Sequence, residues 1–377
     1  MSTRTAFEIN SRKGVTFKQY AVTIKFDVGF KYVNIIKLLV VSNKGFFVQF
    51  KVITQFVCCH FCLRFSIAKL FFHYLHDVSF GKWLVFFVNE RNTFSKLRVL
   101  HDLKYKRCHS NFDDKLESMR LMHAVVPSHK LIKTPEQVAK IKESAKINIA
   151  VLDYVAEHIK AGITTEEIDR WVYDVTTKMG GIPAPLNYEG FPKSVCTSIN
   201  NQVCHGIPSD DVMLREGDII NVDCSTILDG YFSDSSRMFC IGEVSPEKKR
   251  LVDVAKESLN VGLSKVKPWG FLGDVGQAIN DFAKENGYSV VREIGGHGVG
   301  LEFHEDPFVS YVSKAGTEMV MAPGLMFTIE PMINMGKQEI YIDEDNDWTA
   351  YTQDRLPSAQ WEIQVLVTED GHEVLSW

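Results

Sequence analysis

The 377-residue chain contains no proline before Pro127 and only four glycines in its first 126 residues. Globular domains use both residues to form turns and to end helices and strands. The same stretch is rich in phenylalanine, with 17 of the 25 lying before Leu116. Because the remainder is punctuated normally, we predict a boundary near residue 118, with an extension before it and one domain over residues 125–377.

Long apolar runs and signal sequences are missing as well. The longest uncharged apolar stretch of the first third, residues 52–63, is too short to cross a bilayer. The N-terminus lacks the compact apolar core and cleavage site of a signal peptide. The eight cysteines have no spacing typical of a disulfide framework. These absences predict a cytoplasmic protein that does not associate with membranes.

Charge is divided unevenly along the chain. Residues 1–118 carry 19 Lys+Arg against 8 Asp+Glu, a net charge of +11, whereas the remainder carries 23 against 39, a net charge of −16. Nucleic-acid affinity depends largely on Lys and Arg that neutralise phosphates. The acidic body of the chain therefore predicts no specific nucleic-acid partner.

Four interpretations of residues 1–118 remain open, and none assigns them a function. The favoured interpretation is that the chain as given starts too early. Translation would then begin at Met119 or Met122, and the preceding residues would be an upstream segment read as protein. The basic, acid-poor composition is also typical of a targeting or membrane-associating extension, and the Phe, Val and Ile content is typical of a small β-rich domain. A zinc site would use Cys58, Cys59, His60, Cys62, Cys108 and His109, but the adjacent cysteines do not fit the usual spacing of zinc ligands.

Residues 125–377 show the same order of elements twice. Thr134 and Thr164 begin two helices with capping-box patterns, ending near Gly162 and Gly180. Ser245-Pro246 begins a third helix, and a fourth runs from about Leu272 to Gly287. After each helix pair come strand-like segments: Ser194–Ile199, Ile219–Cys224, Tyr231–Phe232 and Arg237–Ile241, then Tyr288–Arg292, Met319–Met321, Met326–Pro331 and Glu362–Val367. This order predicts an α/β (α+β) domain of two pseudo-symmetric halves with one active site between them.

Five ionisable residues stand out because they lie at the edges of apolar strand-like segments or among glycines: Asp223, Asp234, His297, Glu330 and Glu362. Each alone has an ordinary explanation as a turn, cap or solvated strand residue. Together, four carboxylates and one imidazole form an oxygen-rich donor set that suits Mn, Fe, Co or Zn pairs better than a structural zinc. Two-metal hydrolases use bridging carboxylates in this way.

At this point the sequence resembles the type I methionine aminopeptidases of peptidase family M24. The resemblance covers about residues 132–377 and rests on several motifs in combination: Asn187–Ser194, Val203–Pro208, Asn221–Asp223, Asp234–Ser236, Gly296–Gly300, Phe303–Glu305, Thr328–Pro331 and Ser358–Glu362. It implies the pita-bread fold. Only 31 residues separate Glu330 from Glu362, which leaves no room for the long insertion of the type II enzymes.

The resemblance also implies roles for individual residues. Two divalent metal ions would be bound by the five residues above, with Asp234 and Glu362 bridging them. His205, His304 and Glu330 would be catalytic, with both histidines also contacting substrate. Other substrate-binding positions would be Tyr188, Phe191, Cys196, Ser225, Phe303 and Trp348, all but Ser225 around the methionine side chain. One departure from the family pattern is Pro185, which lies near a pocket position that is often Cys in relatives.

The expected activity is removal of the N-terminal methionine from nascent polypeptides with a small second residue. The resemblance implies a monomer that works at the ribosome. Two alternatives remain: a prolidase or aminopeptidase P, which shares the fold and donor set, and a non-catalytic pita-bread module that binds protein or RNA. The segments Tyr188–Ser194 and Val203–Pro208 disfavour the first, and the intact donor set disfavours the second.

Overall fold

The computed structural model describes residues 3–10, 16–28, 31–42 and 110–377. The chain divides into two units, residues 1–87 and 88–377. In the first unit, β1 (Thr3–Asn10), β2 (Thr16–Val28) and β3 (Lys31–Ser42) form an antiparallel sheet in the order β1-β2-β3. The six residues considered above as zinc ligands lie outside the described residues.

The second unit contains helices and mainly antiparallel sheets. The helices are α1 (Ser110–Leu121), α2 (Pro135–His158), α3 (Thr165–Lys178), α4 (Pro246–Leu263) and α5 (Leu272–Glu285). Among the described residues, no helix is both long enough and apolar enough to cross a membrane. The strands are β4 (Ile182–Pro183), β5 (Cys196–Ile199), β6 (Gln202–Cys204), β7 (Ile219–Leu228), β8 (Tyr231–Cys240), β9 (Ser289–Val290), β10 (Gly296–Gly298), β11 (Glu305–Val309), β12 (Met326–Ile329), β13 (Met332–Asn334), β14 (Ile340–Ile342), β15 (Ala350–Thr352), β16 (Ser358–Gln360), β17 (Ile363–Val367) and β18 (His372–Ser376).

The predicted helix starts are confirmed by their hydrogen bonds. The Thr134 hydroxyl accepts from the Gln137 backbone N–H, and the Gln137 side chain accepts from the Thr134 N–H, which completes a capping box. The same reciprocal pair joins Thr164 and Glu167. The end of α2 differs from the prediction, because the helix stops at His158, ahead of Gly162.

Two sheets meet behind the site. In one, β7 pairs with β4, β5 and β8; the other has the order β11-β10-β12-β17-β18. The backbones of Ser236 on β8 and Glu362 beside β17 exchange hydrogen bonds of 3.3 and 3.2 Å. These bonds bring the donor-bearing strands of both halves to one place.

Three predicted strand segments differ from the observed strands. We predicted Tyr231–Phe232 and Arg237–Ile241 as separate strands, whereas β8 is continuous across Ser233–Ser236. That stretch is polar but buried and paired with β7, and its polarity hid the strand. The segment Met319–Met321 forms only isolated bridges, for example from Met319 to Val125, rather than a strand.

The apolar core lies between the helices and the sheets. Its largest cluster joins Leu251 and Leu259 of α4 and Ile279 of α5 to strand residues such as Phe327 and Val365. A second cluster packs α2 and α3 against β7. Four helices therefore pack against these strands and bury their apolar side chains.

Helix α1 runs across the boundary predicted at residue 118. Its Leu116 and Met119 are buried, with exposed fractions of 5% and 6%. The Phe112 ring centroid lies 5.4 Å from that of Trp269. Helix α1 thus packs within the second unit, and residue 118 lies inside this helix.

Candidate metal centre

The hairpin of β7 and β8 presents two carboxylates on one face. Asp229 and Gly230 form its turn with φ of 52° and 80°, as a tight hairpin requires. The strands pair Asp223 with Ser236 and Ser225 with Asp234. Since alternate strand residues share a face, both aspartates and Ser225 point the same way. The Ser225 hydroxyl donates to Asp234 Oδ1 at 2.8 Å.

The neighbouring sheet brings the other three predicted donors to the same point. Ligand atoms of Asp234, His297 and Glu362 all lie within 4.8 Å of one another. His297 Nε2 is 3.6 Å from Asp234 Oδ2 and 3.7 Å from Glu330 Oε1. Asp223 lies close enough to Asp234, Glu330 and Glu362 to interact with all three electrostatically. All five residues therefore converge.

The backbone fixes the orientation of His297. Its Nδ1–H donates to the Gly298 carbonyl oxygen at 2.9 Å, which turns Nε2 toward the carboxylates. The flanking glycines are required by space, because a Cβ at Gly296 would lie 2.4 Å from the Thr328 carbonyl oxygen. A Cβ at Gly298 would lie 2.1 Å from that of Asp306. The glycines on either side of His297 therefore allow neighbouring backbone to approach closely here.

Burial strongly perturbs these groups in the absence of a cation. It raises the pKa of Asp223 to about 7 and that of Glu330 to about 8. The pKa values of Asp234 and Glu362 are raised well above the usual range by burial and then by the neighbouring carboxylates. Burial lowers the pKa of His297 to about 3, so this ring is neutral and able to bind a metal.

The cluster is electrostatically incomplete as protein alone. Among the described residues, the ion pairs of these carboxylates involve only His297, which is neutral near pH 7. Glu362 Oε2 is buried without a hydrogen-bond partner. Several ionised carboxylates are stable in one buried place only when cations balance them. The donor chemistry therefore fits divalent metal ions.

Two supporting residues were missed as site residues by sequence reasoning. The Thr328 hydroxyl donates to Glu330 Oε1 at 2.7 Å, and the Gln360 amide donates to Glu330 Oε2 at 3.0 Å. Such contacts orient a ligating carboxylate. The available signal was strand periodicity, because Thr328 lies two residues before Glu330. The contact of Gln360 depends on folding across 30 residues and had no local signal.

All thirteen residues predicted to form the site line one cleft of about 1230 Å³: Tyr188, Phe191, Cys196, His205, Asp223, Ser225, Asp234, His297, Phe303, His304, Glu330, Trp348 and Glu362. Pro185 lines it as well. The volume exceeds the roughly 300–1,000 Å³ that is usual for drug-sized ligands. The cleft has room for more than one amino-acid residue.

An aromatic pocket adjoins the carboxylates. Tyr188 and Phe303 meet edge to face with ring centroids 4.9 Å apart, and Phe191 and Trp348 do so at 5.2 Å. Cys196 is buried, and burial raises its pKa well above the usual range, so its thiol is neutral. These side chains form an apolar recess beside a charged cluster, which is the arrangement needed to hold an apolar side chain next to a reacting bond.

Two further histidines face the cluster. The His304 ring centroid lies 4.3 Å from that of His297, and His304 Nδ1 lies 2.9 Å from the Tyr188 hydroxyl. His205 has a left-handed backbone with φ of 55°, and its carbonyl oxygen accepts from the Thr349 hydroxyl at 3.3 Å. Burial lowers the pKa of His205 to about 4 and also lowers that of His304. Both rings are therefore neutral at pH 7 and can act as hydrogen-bond donors.

The two-layered α/β fold and its oxygen-rich donor set define a metal-dependent hydrolase. The family model of metallopeptidase family M24 matches residues 139–369, and the chain belongs to this family. Its relatives include the methionine aminopeptidase of Chlamydia trachomatis, which is 44% identical over 72% of this chain and 94% of the relative. The crystal structure of methionine aminopeptidase from Rickettsia prowazekii matches with a TM-score of 0.64, 41% identity, and coverage of 65% of this chain and 99% of that one.

A prolidase structure is more distant. Prolidase from Pyrococcus furiosus matches with a TM-score of 0.53 and 25% identity, over 66% of this chain and 65% of that one.

The extent of the match to the Chlamydia trachomatis relative also bears on helix α1. Residues 125–377 make up about 67% of the chain, so a match covering 72% extends upstream of them.

Proposed function

We propose that this metallopeptidase removes the N-terminal methionine from polypeptides whose second residue is small. The observation that carries the proposal is the joining of one donor cluster and one aromatic recess in a single cleft. The similarity to methionine aminopeptidases over nearly their full length supports the same activity. The prolidase alternative is less supported, because its structural match is weaker.

Two divalent ions would be held by Asp223, Asp234, His297, Glu330 and Glu362. The crowding of four carboxylates, three of them buried, supports two cations rather than one, because each added charge is costly without balance. Co, Mn, Fe and Zn all suit an oxygen-rich set with one imidazole. When bound, such ions acidify a water molecule and polarise the scissile carbonyl.

The protein groups supply proton transfer and charge stabilisation. Glu330 accepts a proton from the attacking water and later returns it to the leaving amine. His304 donates a hydrogen bond to the developing oxyanion. For a neutral ring to donate from Nε2, its Nδ1 must accept from the Tyr188 hydroxyl, and their 2.9 Å separation supports that tautomer. His205 hydrogen-bonds the scissile amide.

The aromatic recess would select methionine. Tyr188, Phe191, Phe303 and Trp348 present ring edges and faces, which interact favourably with a thioether. Cys196 and Pro185 complete its lining. Ser225, hydrogen-bonded to Asp234, would contact the substrate beside the metals. The free α-amine must reach the donor cluster, so formyl-methionine would have to be deformylated first.

The test is a comparison of peptides on metal-loaded protein. The purified protein with Mn(II) or Co(II) is offered Met-Gly-Met-Met, Leu-Gly-Met-Met and an Xaa-Pro dipeptide. We expect release of methionine from the first peptide only. Equal turnover of the first two would contradict methionine selectivity, and turnover of the Xaa-Pro dipeptide alone would establish the prolidase alternative. Bound metal without any turnover would favour a binding module.

The natural substrate, the cellular location and the oligomeric state are proposed separately from the peptidase activity. Nascent polypeptides at the ribosome in the cytoplasm would be the natural substrates, and a monomer would suffice because one chain supplies the whole cleft. Co-sedimentation with ribosomes and light scattering test these points. The catalytic domain is proposed to include α1, in addition to residues 125–377.

A further inference from the structure

A buried ion pair lies behind the loop that carries His304. Lys133 Nζ is 2.7 Å from Glu305 Oε2, and the two side chains are only 1% and 7% exposed. The pair joins positions 172 residues apart in the sequence. A buried pair of charges is costly to desolvate, so its presence requires an explanation beyond fold stability.

Glu305 closes the loop between β10 and β11. Its Oε1 accepts from the backbone N–H groups of Leu301 and Glu302 at 2.7 and 3.1 Å. The loop begins after Gly298 and includes Phe303 and His304, which line the cleft. The carboxylate therefore uses one oxygen to fold the loop and the other to bind Lys133.

Lys133 is a fixed anchor. Its backbone N–H donates to the Gly324 carbonyl oxygen at 2.8 Å, next to the start of β12, and its ammonium also donates to the Leu131 carbonyl oxygen at 3.2 Å. A Cβ at Gly300 would lie 3.2 Å from Lys133 Cε, so the lysine stem packs directly against the loop. The anchor and the loop have little freedom to separate.

We propose that Lys133 and Glu305 are positioning residues that hold the His304 loop in its working geometry. The inference rests on the proposed function for the role of His304. A displacement of about 1 Å in a catalytic group can cost roughly 10²-fold in rate. The pair acts through His304, since both carboxylate oxygens of Glu305 are bound by the protein itself.

The first experiment is a double-mutant cycle with Met-Gly-Met-Met as substrate. In Glu305→Gln the amide oxygen still accepts from the loop, but Lys133 loses its anionic partner. We expect kcat/KM to fall roughly 10²-fold with His304 present and less than about tenfold in the His304→Ala background. Equal factors in both backgrounds would show a merely structural role and overturn the proposal.

Two variants serve as controls. Lys133→Met combined with Glu305→Gln removes both charges, and we expect it to recover about tenfold relative to Glu305→Gln alone, because no buried charge is left unpaired. Lys142→Met breaks the exposed pair with Glu373, also 2.7 Å long, and should leave kcat/KM unchanged. Failure of the double variant to recover would contradict the charge pairing.

A second readout does not depend on turnover. The imidazole NMR signals of His304 are observed in Zn(II)-loaded, histidine-labelled protein and assigned by their loss in His304→Ala. We expect them to move in Glu305→Gln and to stay in place in Lys142→Met. Unchanged signals in Glu305→Gln would overturn the proposal. If the parent protein cleaves no methionyl peptide, the proposed function fails, while this measurement still decides whether the pair positions the ring.

Discussion

The donor cluster and the aromatic recess share one cleft but are built in different ways. The donors lie on or directly beside paired strands, where register fixes each side chain. The recess is built largely from loops. Tyr188 begins a single helical turn, and its two sequence neighbours, Asn187 and Glu189, have left-handed backbone with φ of 65° and 48°. A strand-based site tolerates little change, whereas loops vary more easily. Chemistry and selectivity should therefore respond differently to substitution.

The largest effect is expected from removing a donor. Asp234→Asn should lower both metal content and kcat/KM by more than about 10²-fold, since even residues that only support a ligand cost 10–100-fold. Metal analysis and peptide kinetics measure the two effects. Asp229→Asn in the exposed hairpin turn is the matched control. Retained metal with normal turnover in Asp234→Asn would contradict the view that the strand-based donor cluster tolerates little change.

Metal removal should invert the pH dependence of stability. Without cations, the pKa of Asp223 is raised from 3.8 to about 7 and that of Glu330 from 4.5 to about 8. A carboxyl whose folded pKa is raised stabilises the fold below its unfolded pKa, and this contribution is lost as the pH rises through the folded value. The metal-free protein should therefore lose on the order of several kcal/mol between about pH 4 and 8.

Thermal melts at pH 5 and pH 8, with EDTA or with Mn(II), test this expectation. Metal binding requires deprotonated ligands, so the loaded protein should gain stability relative to the metal-free protein as the pH rises. A metal-free protein that melts at higher temperature at pH 8 than at pH 5 would contradict the buried, unbalanced cluster.

Helix α1 provides a comparison outside both regions. Leu116→Ala should reduce the free energy of unfolding by about 2–5 kcal/mol, because a buried leucine is truncated. Denaturant unfolding measures the loss, and kcat of the folded protein should not change. Glu117→Ala, on the exposed side of the same helix, should have almost no effect. Equal stability of the leucine variant would show that α1 does not belong to the domain.

The smallest effect is expected in the recess. Phe191→Leu keeps an apolar side chain but removes one aromatic contact with the thioether, worth about 0.3–1.5 kcal/mol. The ratio of kcat/KM for Met-Gly-Met-Met to that for Leu-Gly-Met-Met should fall about two- to tenfold, with metal content unchanged. A change in metal content instead would mean that the two regions are not separable.

Sequence patterns predicted the elements well where local chemistry decides them. The capping boxes at Thr134 and Thr164 depend on residues three apart, and both formed as expected. The continuity of β8 was missed because Ser233–Ser236 are polar yet buried, a state decided by pairing with β7. The same reason applies to Gln360 and to the partnership of Lys133 with Glu305, which follow from tertiary packing rather than local pattern.

The convergence of the five donors could be proposed from a resemblance but not from spacing alone. Asp223 and Asp234 lie on one hairpin, so their proximity follows from the turn at Asp229-Gly230. His297 and Glu362 come from other strands, and no local rule relates them. Helix α1 had no signal of its own, since it lies within a segment of unusual composition.

The length of the tight turn between β7 and β8 sets the register in which the two strands pair. Inserting or deleting one residue at Asp229-Gly230 would shift the pairing by one position and rotate Asp234 to the opposite face of the sheet. No ligand would have been substituted, yet the cleft would lose a donor. The length of this connection is thus constrained as severely as the identity of any metal-binding side chain, even though the turn itself is exposed to solvent.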